Sequence, residues 1–162
     1  MRSWFGKKLM RRTMNSLNAG NPKPTLRMDS RNVELTFPGD SSWSGVIKGK
    51  KQVRAWLERF CRVGLQIAAD EVIVKGSPWR TTICVRGTDH LDAPDGERVY
   101  ENRYVIWGQL RWGRLRRYEV YEDTQKSKAL DAWLEQHEPP AIGGGRRARR
   151  RARRAAQDRD AA

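Results

Sequence analysis

Apolar residues recur along this chain with two different periods. Trp4, Phe5, Leu9, Met10, Met14 and Leu17 return at helical spacing, with Lys7, Lys8, Arg11 and Arg12 between them, which predicts an amphipathic first helix. Asn18-Ala19-Gly20-Asn21-Pro22 ends it, because Gly suits a left-handed cap and Pro cannot continue a helix. A short helical turn is expected from Pro24 to Met28. From Asn32 to Phe37 the period becomes two: Val33, Leu35 and Phe37 alternate with Glu34 and Thr36, the pattern of a half-buried strand. The stretch TFPGDSSWSG then turns on Pro38-Gly39 and leads to a helix beginning near Gly49. In that helix Val53, Trp56, Leu57, Phe60 and Cys61 form one apolar stripe against Lys50, Arg54, Glu58 and Arg62, and Gly64 marks its end.

Four strands are predicted next, at about 69–75, 79–91, 98–111 and 115–123. Gly76-Ser77-Pro78, Ala93-Pro94-Asp95-Gly96 and Trp112-Gly113-Arg114 separate them. Connections this short require antiparallel neighbours. Strands longer than about ten residues must twist and curl. The expected fold is therefore α+β: a cone-shaped, curved antiparallel sheet wrapped on three N-terminal helical segments, with an added C-terminal helix. That last helix, about Thr124 to Gln136, uses Leu130, Trp133 and Leu134, and Pro139-Pro140 stops it. Residues 1–138 are read as one domain. Residues 139–162 are read as a Pro/Gly linker and a disordered Arg-rich tail.

Charge sharpens this division. The formal net charge of the 162 residues is +14, but residues 1–12 supply +5 and residues 143–162 supply +6. The body is close to balance, so basicity gives no argument that the domain itself binds nucleic acid. The tail is expected to make at most weak contact with nucleic acid or another polyanion, since no aromatic residue interrupts it to stack on bases. Cys61 and Cys84 sit in apolar patterns and read as buried, reduced thiols. The chain has no apolar run long enough to span a membrane and no apolar segment after its basic start, so a cytoplasmic location is expected. His90 and His137 form no ligand cluster with the cysteines, and no metal or other cofactor is expected.

The pieces SLNAGNPKP, VELTFPGDSSWSG, KGKKQVRAWLERF, YENRYVIW, LRWGRL and VYEDTQK, in that order, resemble the SnoaL-like branch of the nuclear-transport-factor-2-like superfamily over about residues 12 to 136. The resemblance implies a cone-shaped α+β barrel that binds an apolar small molecule, and a homodimer formed through the sheet. Relatives include ketosteroid isomerases, polyketide cyclases and limonene-epoxide hydrolases. The isomerase relatives hold a proton-abstracting aspartate just before a proline, where this chain has Phe37. The hydrolase relatives hold an aspartate on the last strand, aligned here with Val120. Neither mechanism transfers residue by residue.

Any proton-transfer chemistry must then use other groups. It needs a carboxylate desolvated enough to raise its pKa, beside a hydrogen-bond donor. Asp89 and Glu122 are the candidate catalytic residues. Asp89 qualifies if the strand face with Thr81, Ile83 and Val85 is concave; Glu122 shares a strand face with Tyr118 and Val120 and competes with a solvated rim position. Asp123, before Thr124, reads as a helix N-cap. The candidate ligand-binding residues are Phe37, Trp43, Trp56, Tyr100, Asn102, Tyr104, Tyr118 and Val120. Two readings stay open: a cofactor-independent isomerase, cyclase or hydrolase acting on an apolar ligand, or a non-catalytic ligand- or protein-binding module whose Arg-rich tail contacts nucleic acid or another polyanion.

Overall fold

A computed structural model describes the backbone of residues 2–141 and the side chains from Lys8 onward. In chain order the elements are helix α1 (Arg2–Asn18), helix α2 (Lys23–Met28), strand β1 (Asp29–Phe37), strand β2 (Gly45–Lys48) and helix α3 (Lys50–Val63). Strands β3 (Gln66–Ser77), β4 (Arg80–Asp92), β5 (Arg98–Arg111) and β6 (Arg114–Glu122) follow, and helix α4 (Thr124–His137) closes the series. The strands form one sheet in the order β2-β1-β6-β5-β4-β3. Neighbours are antiparallel except β1 and β6, which run parallel. Short turns join β3 through β6 in a meander, and β1 completes the sheet by pairing with the last strand of that run.

Strand β2 has no counterpart in the sequence pattern. Its apolar residues Val46 and Ile47 are adjacent rather than alternating, and Val46 is exposed because β2 is a sheet edge. Strand β1 begins at Asp29, three residues before the alternation becomes visible. An irregularity in its pairing with β6 between Asp29 and Glu34 hides the period there. The thiols of Cys61 and Cys84 are free as expected but half-buried rather than buried. The Arg-rich tail, residues 142–162, lies outside the described residues.

Helix α3 buries Val53, Leu57, Phe60 and Val63 against the sheet, each worth roughly 1.5–3 kcal/mol. It ends where Gly64 takes the left-handed conformation (φ 89°) and donates its N–H to the Phe60 carbonyl. Helix α1 lies against β3. There the Asn18 side chain donates to the Ile67 carbonyl and accepts from the Ile67 N–H, both at 2.8 Å.

Helix α4 is fixed at three points. The Asp123 carboxylate caps its start by accepting from the Gln125 and Lys126 N–H groups. Asp131 accepts from the Ser42 N–H at 2.6 Å and from its hydroxyl at 2.5 Å. Glu138 receives a two-point bond from Arg59 (2.8 and 2.7 Å) and a third bond from Arg62 (3.1 Å). These bonds hold Glu138 below the usual carboxylate range. The Arg59 guanidinium also lies 4.0 Å from the centre of the Trp43 ring. Among the described residues, no helix is long and apolar enough to cross a membrane.

Candidate functional site

The strand pleat decides which side chains enter the cone. On β5 the even-numbered residues Tyr100, Asn102 and Tyr104 are buried, while Glu101, Arg103 and Val105 face outward. Register carries this face across the sheet: Asp89 on β4 lies opposite Asn102, and Glu122 on β6 lies opposite Tyr104. Asp89 therefore shares the concave face with Ile83 and Val85, and Glu122 shares it with Tyr118 and Val120. The two carboxyls come from strands on either side of β5, and Tyr100 reaches between them.

The Tyr100 hydroxyl is 3.3 Å from Asp89 Oδ2 and 3.1 Å from Glu122 Oε1, and it accepts from the Asn102 side-chain amide at 3.1 Å. One phenolic proton can serve only one carboxyl at a time. The Ser127 hydroxyl of α4 also contacts Glu122 Oε1. Asp89 is buried, and its other oxygen, Oδ1, has no partner. Burial first, and then the charge of Glu122, push Asp89 up to about 7. Burial also raises Glu122, against hydrogen bonds from Ser127 and Tyr100 that lower it. Tyr100 is raised as well, by burial and by the two carboxyl charges, which keeps it a neutral donor. Near neutral pH such a pair holds one proton between two carboxyls, and the proton belongs to the pair.

Below this polar trio lies a cavity of about 130 Å³. Its walls are almost wholly apolar: Met10, Met14 and Leu17 from α1, Trp56, Leu57 and Phe60 from α3, and Phe37, Ile83, Val85, Ile106, Leu115 and Val120 from the sheet. Asp89, Glu122, Tyr104 and Tyr118 also line it. A smaller hollow of about 30 Å³ adjoins the same carboxyls and is lined by Trp43, Trp56, Tyr100 and Ser127. Phe37, Trp43 and Phe60 pack around Trp56, with ring centres 5.6–6.1 Å away. Asn102 lines neither space. Fully buried, it donates to Tyr100 and to the Asp123 carbonyl and so positions Tyr100.

Two features of the site had no clear sequence signal. Gly87 leaves room for the Tyr104 ring, whose hydroxyl donates to the Ala68 carbonyl at 2.9 Å; a Cβ at Gly87 would lie 1.9 Å from that carbonyl oxygen. The second is Asp29, at the first position of β1. It is 2% exposed, and neither carboxylate oxygen has a hydrogen-bond partner. Burial pushes it up to about 6, partly opposed by Lys50, and its charge adds to the burial that raises the Tyr118 phenol. Asp29 precedes the visible strand alternation, so the sequence pattern assigns it to no element. Among the described residues, no group of three or more His, Cys, Asp or Glu side chains could hold a metal ion.

No family model matches the sequence, and neither does any curated protein. Solved structures do match. An NTF2-like protein of unknown function from Burkholderia pseudomallei superimposes with a TM-score of 0.63 at 23% identity, over 77% of this chain and 95% of that one. TerC, crystallised with polyporic acid, gives 0.60 at 20% identity, over 79% and 94%. Bal32a, from a soil-derived mobile gene cassette, gives 0.60 at 20% identity, over 82% and 98%.

Proposed function

The chain has the NTF2-like fold, and on that premise we propose that it binds an apolar small molecule with one polar group and moves a proton on it without a cofactor. The observation that carries this reading is the Asp89–Tyr100–Glu122 trio at the wall of an apolar cavity. Asp89, held near 7, is poised as a general base at ordinary pH, and its unpartnered Oδ1 is the oxygen free to take a proton. The Tyr100 hydroxyl supplies a donor for charge that develops on a ligand oxygen. Isomerisation, cyclisation and hydration all fit this arrangement. A carboxyl at Asp89 replaces the one that Phe37 excludes from β1.

Support also comes from TerC, a structural neighbour that was crystallised with polyporic acid. The test is a carbon-13 titration of the Asp and Glu carboxyls, paired with a thermal-shift screen of hydrophobic ketones and phenols. The expected result is an Asp89 midpoint near 7 and a stabilising hit that displaces it. Ordinary midpoints for both Asp89 and Glu122 would leave only a binding module, the second reading, which the almost wholly apolar lining favours.

The outer face of the sheet supports a homodimer. Ile73, Cys84, Trp107, Val105 and Tyr121 form an apolar band across β3 to β6, with Ile73, Val105 and Tyr121 exposed. Light scattering of Val105→Glu beside the parent chain tests this; an unchanged mass would remove the face from consideration.

A further inference from the structure

At the end of the sheet remote from the Asp89 site, two hairpin turns each carry a tryptophan. Pro78-Trp79 joins β3 to β4, and Trp112-Gly113 joins β5 to β6. The two indoles sit side by side, with centres 6.4 Å apart, yet Trp79 is 59% exposed and Trp112 is 76% exposed. Trp112 is also the described non-glycine residue with positive φ, at 51°, followed by Gly113 at 71°. Two left-handed residues in a two-residue hairpin form the turn that Asn-Gly adopts at least cost. A bulky side chain in that conformation is strained. Trp112 thus sits where the backbone prefers Asn, and its ring gains almost no burial in return. Neither folding nor the cavity explains it.

Charge around the pair points one way. Arg80 follows Trp79, and Arg111 and Arg114 flank the other turn; all three are exposed. Among the described residues, no ion pair joins any of them to an acid. Arg114 instead donates to the Arg27 carbonyl. No Asp or Glu occurs from Val72 to Thr88, from Arg103 to Tyr118, or in α2. Nearby Asp29 is buried.

We propose that this paired hairpin tip docks on an anionic phospholipid surface, with Trp79 and Trp112 at headgroup depth and Arg80, Arg111 and Arg114 on lipid phosphates. Indole rings partition to that depth because one edge is polar and the body is apolar. Guanidinium groups pair with phosphate oxygens in two-point fashion. Single-stranded nucleic acid fits less well. The ring planes are tilted by 50°, so they offer no parallel platforms for successive bases, and the tips protrude where a strand needs a groove. This surface is independent of the cavity chemistry.

The experiment uses the full chain and phosphatidylcholine vesicles with or without phosphatidylglycerol. The comparison is between the parent and Trp79→Ala/Trp112→Asn. Residues 142–162 are common to both, so any attraction of their arginines to lipid cancels. The variant should partition at least about tenfold less onto anionic vesicles. Quenching of tryptophan emission by brominated lipid chains should fall with it. Arg111→Gln and Arg114→Gln should each weaken partition roughly fivefold at low salt. Trp112→Asn alone should melt at or above the parent temperature, which separates lost docking from lost folding. Equal partition of parent and variant would overturn the proposal. So would loss of oligouridylate binding, or of self-association, in a variant whose vesicle binding is unchanged.

Discussion

Replacing Asp29 with Asn should make the protein more stable at alkaline pH and leave it nearly unchanged at acid pH. The carboxyl lies at the start of β1, buried and without a hydrogen-bond partner, and its folded-state pKa rises from 3.8 to about 6. Well below pH 4 the group is neutral in both states, and stability does not depend on its titration. Between about pH 4 and pH 6 the unfolded chain releases its proton first, so the folded state loses stability as pH rises; above pH 6 the loss is complete. The rise from 3.8 to about 6 corresponds to roughly 3 kcal/mol. Asn cannot ionise, so Asp29→Asn escapes that loss while keeping the side-chain shape. For a domain of this size the gain amounts to about 6–12 °C in Tm. Urea unfolding of parent and variant at pH 4 and pH 8 gives the two differences. Asp89 also titrates in this range, but it is common to both proteins and cancels. A variant-minus-parent difference that is the same at both pH values would refute the reasoning, since the carboxyl would then not be ionising at a cost.

Further outcomes follow from the site. Glu122→Gln removes the charge and hydrogen bond that raise Asp89, so the Asp89 midpoint should fall below 7 in a carbon-13 titration. Tyr100→Phe removes a bond that lowers Asp89, so the same midpoint should rise. Gly87→Ala drives a Cβ into the Ala68 carbonyl and the Tyr104 ring, and should cost about 3 kcal/mol or more in denaturant unfolding. Glu138→Gln should loosen α4 by about 1 kcal/mol at low salt, read as faster amide exchange in that helix.

Most of the fold is legible because its periods are clean. Val53, Leu57 and Phe60 announce α3, and alternation along 98–111 announces β5 and its buried face. The pairing of Asp89 with Glu122 is not legible. It depends on two strand registers at once and on Tyr100 spanning the gap between β4 and β6. Asn102 reads as a pocket residue because its strand face is right; its bonds to Tyr100 and the Asp123 carbonyl appear only in three dimensions. Asp29 and β2 escape for a simpler reason. A short edge strand and the first residue of a strand carry too little period to register. Trp112 is visible in sequence, but its left-handed backbone and exposure belong to three dimensions.

The bond pair between Asn18 and Ile67 has a consequence for how this protein behaves in company. Strand β3 is a long open margin of the sheet, and such margins invite another chain to zip onto them. At Ile67 the vacant N–H and carbonyl are both already taken by one side-chain amide, which imitates the next strand for a single step. A few residues on, the pairing with β4 shifts between Ala69 and Glu71, a bulge that puts the margin out of line for an incoming strand. Asn18 therefore blocks one step of this margin against an incoming strand, and Asn18→Ala should shorten the time to turbidity at high concentration.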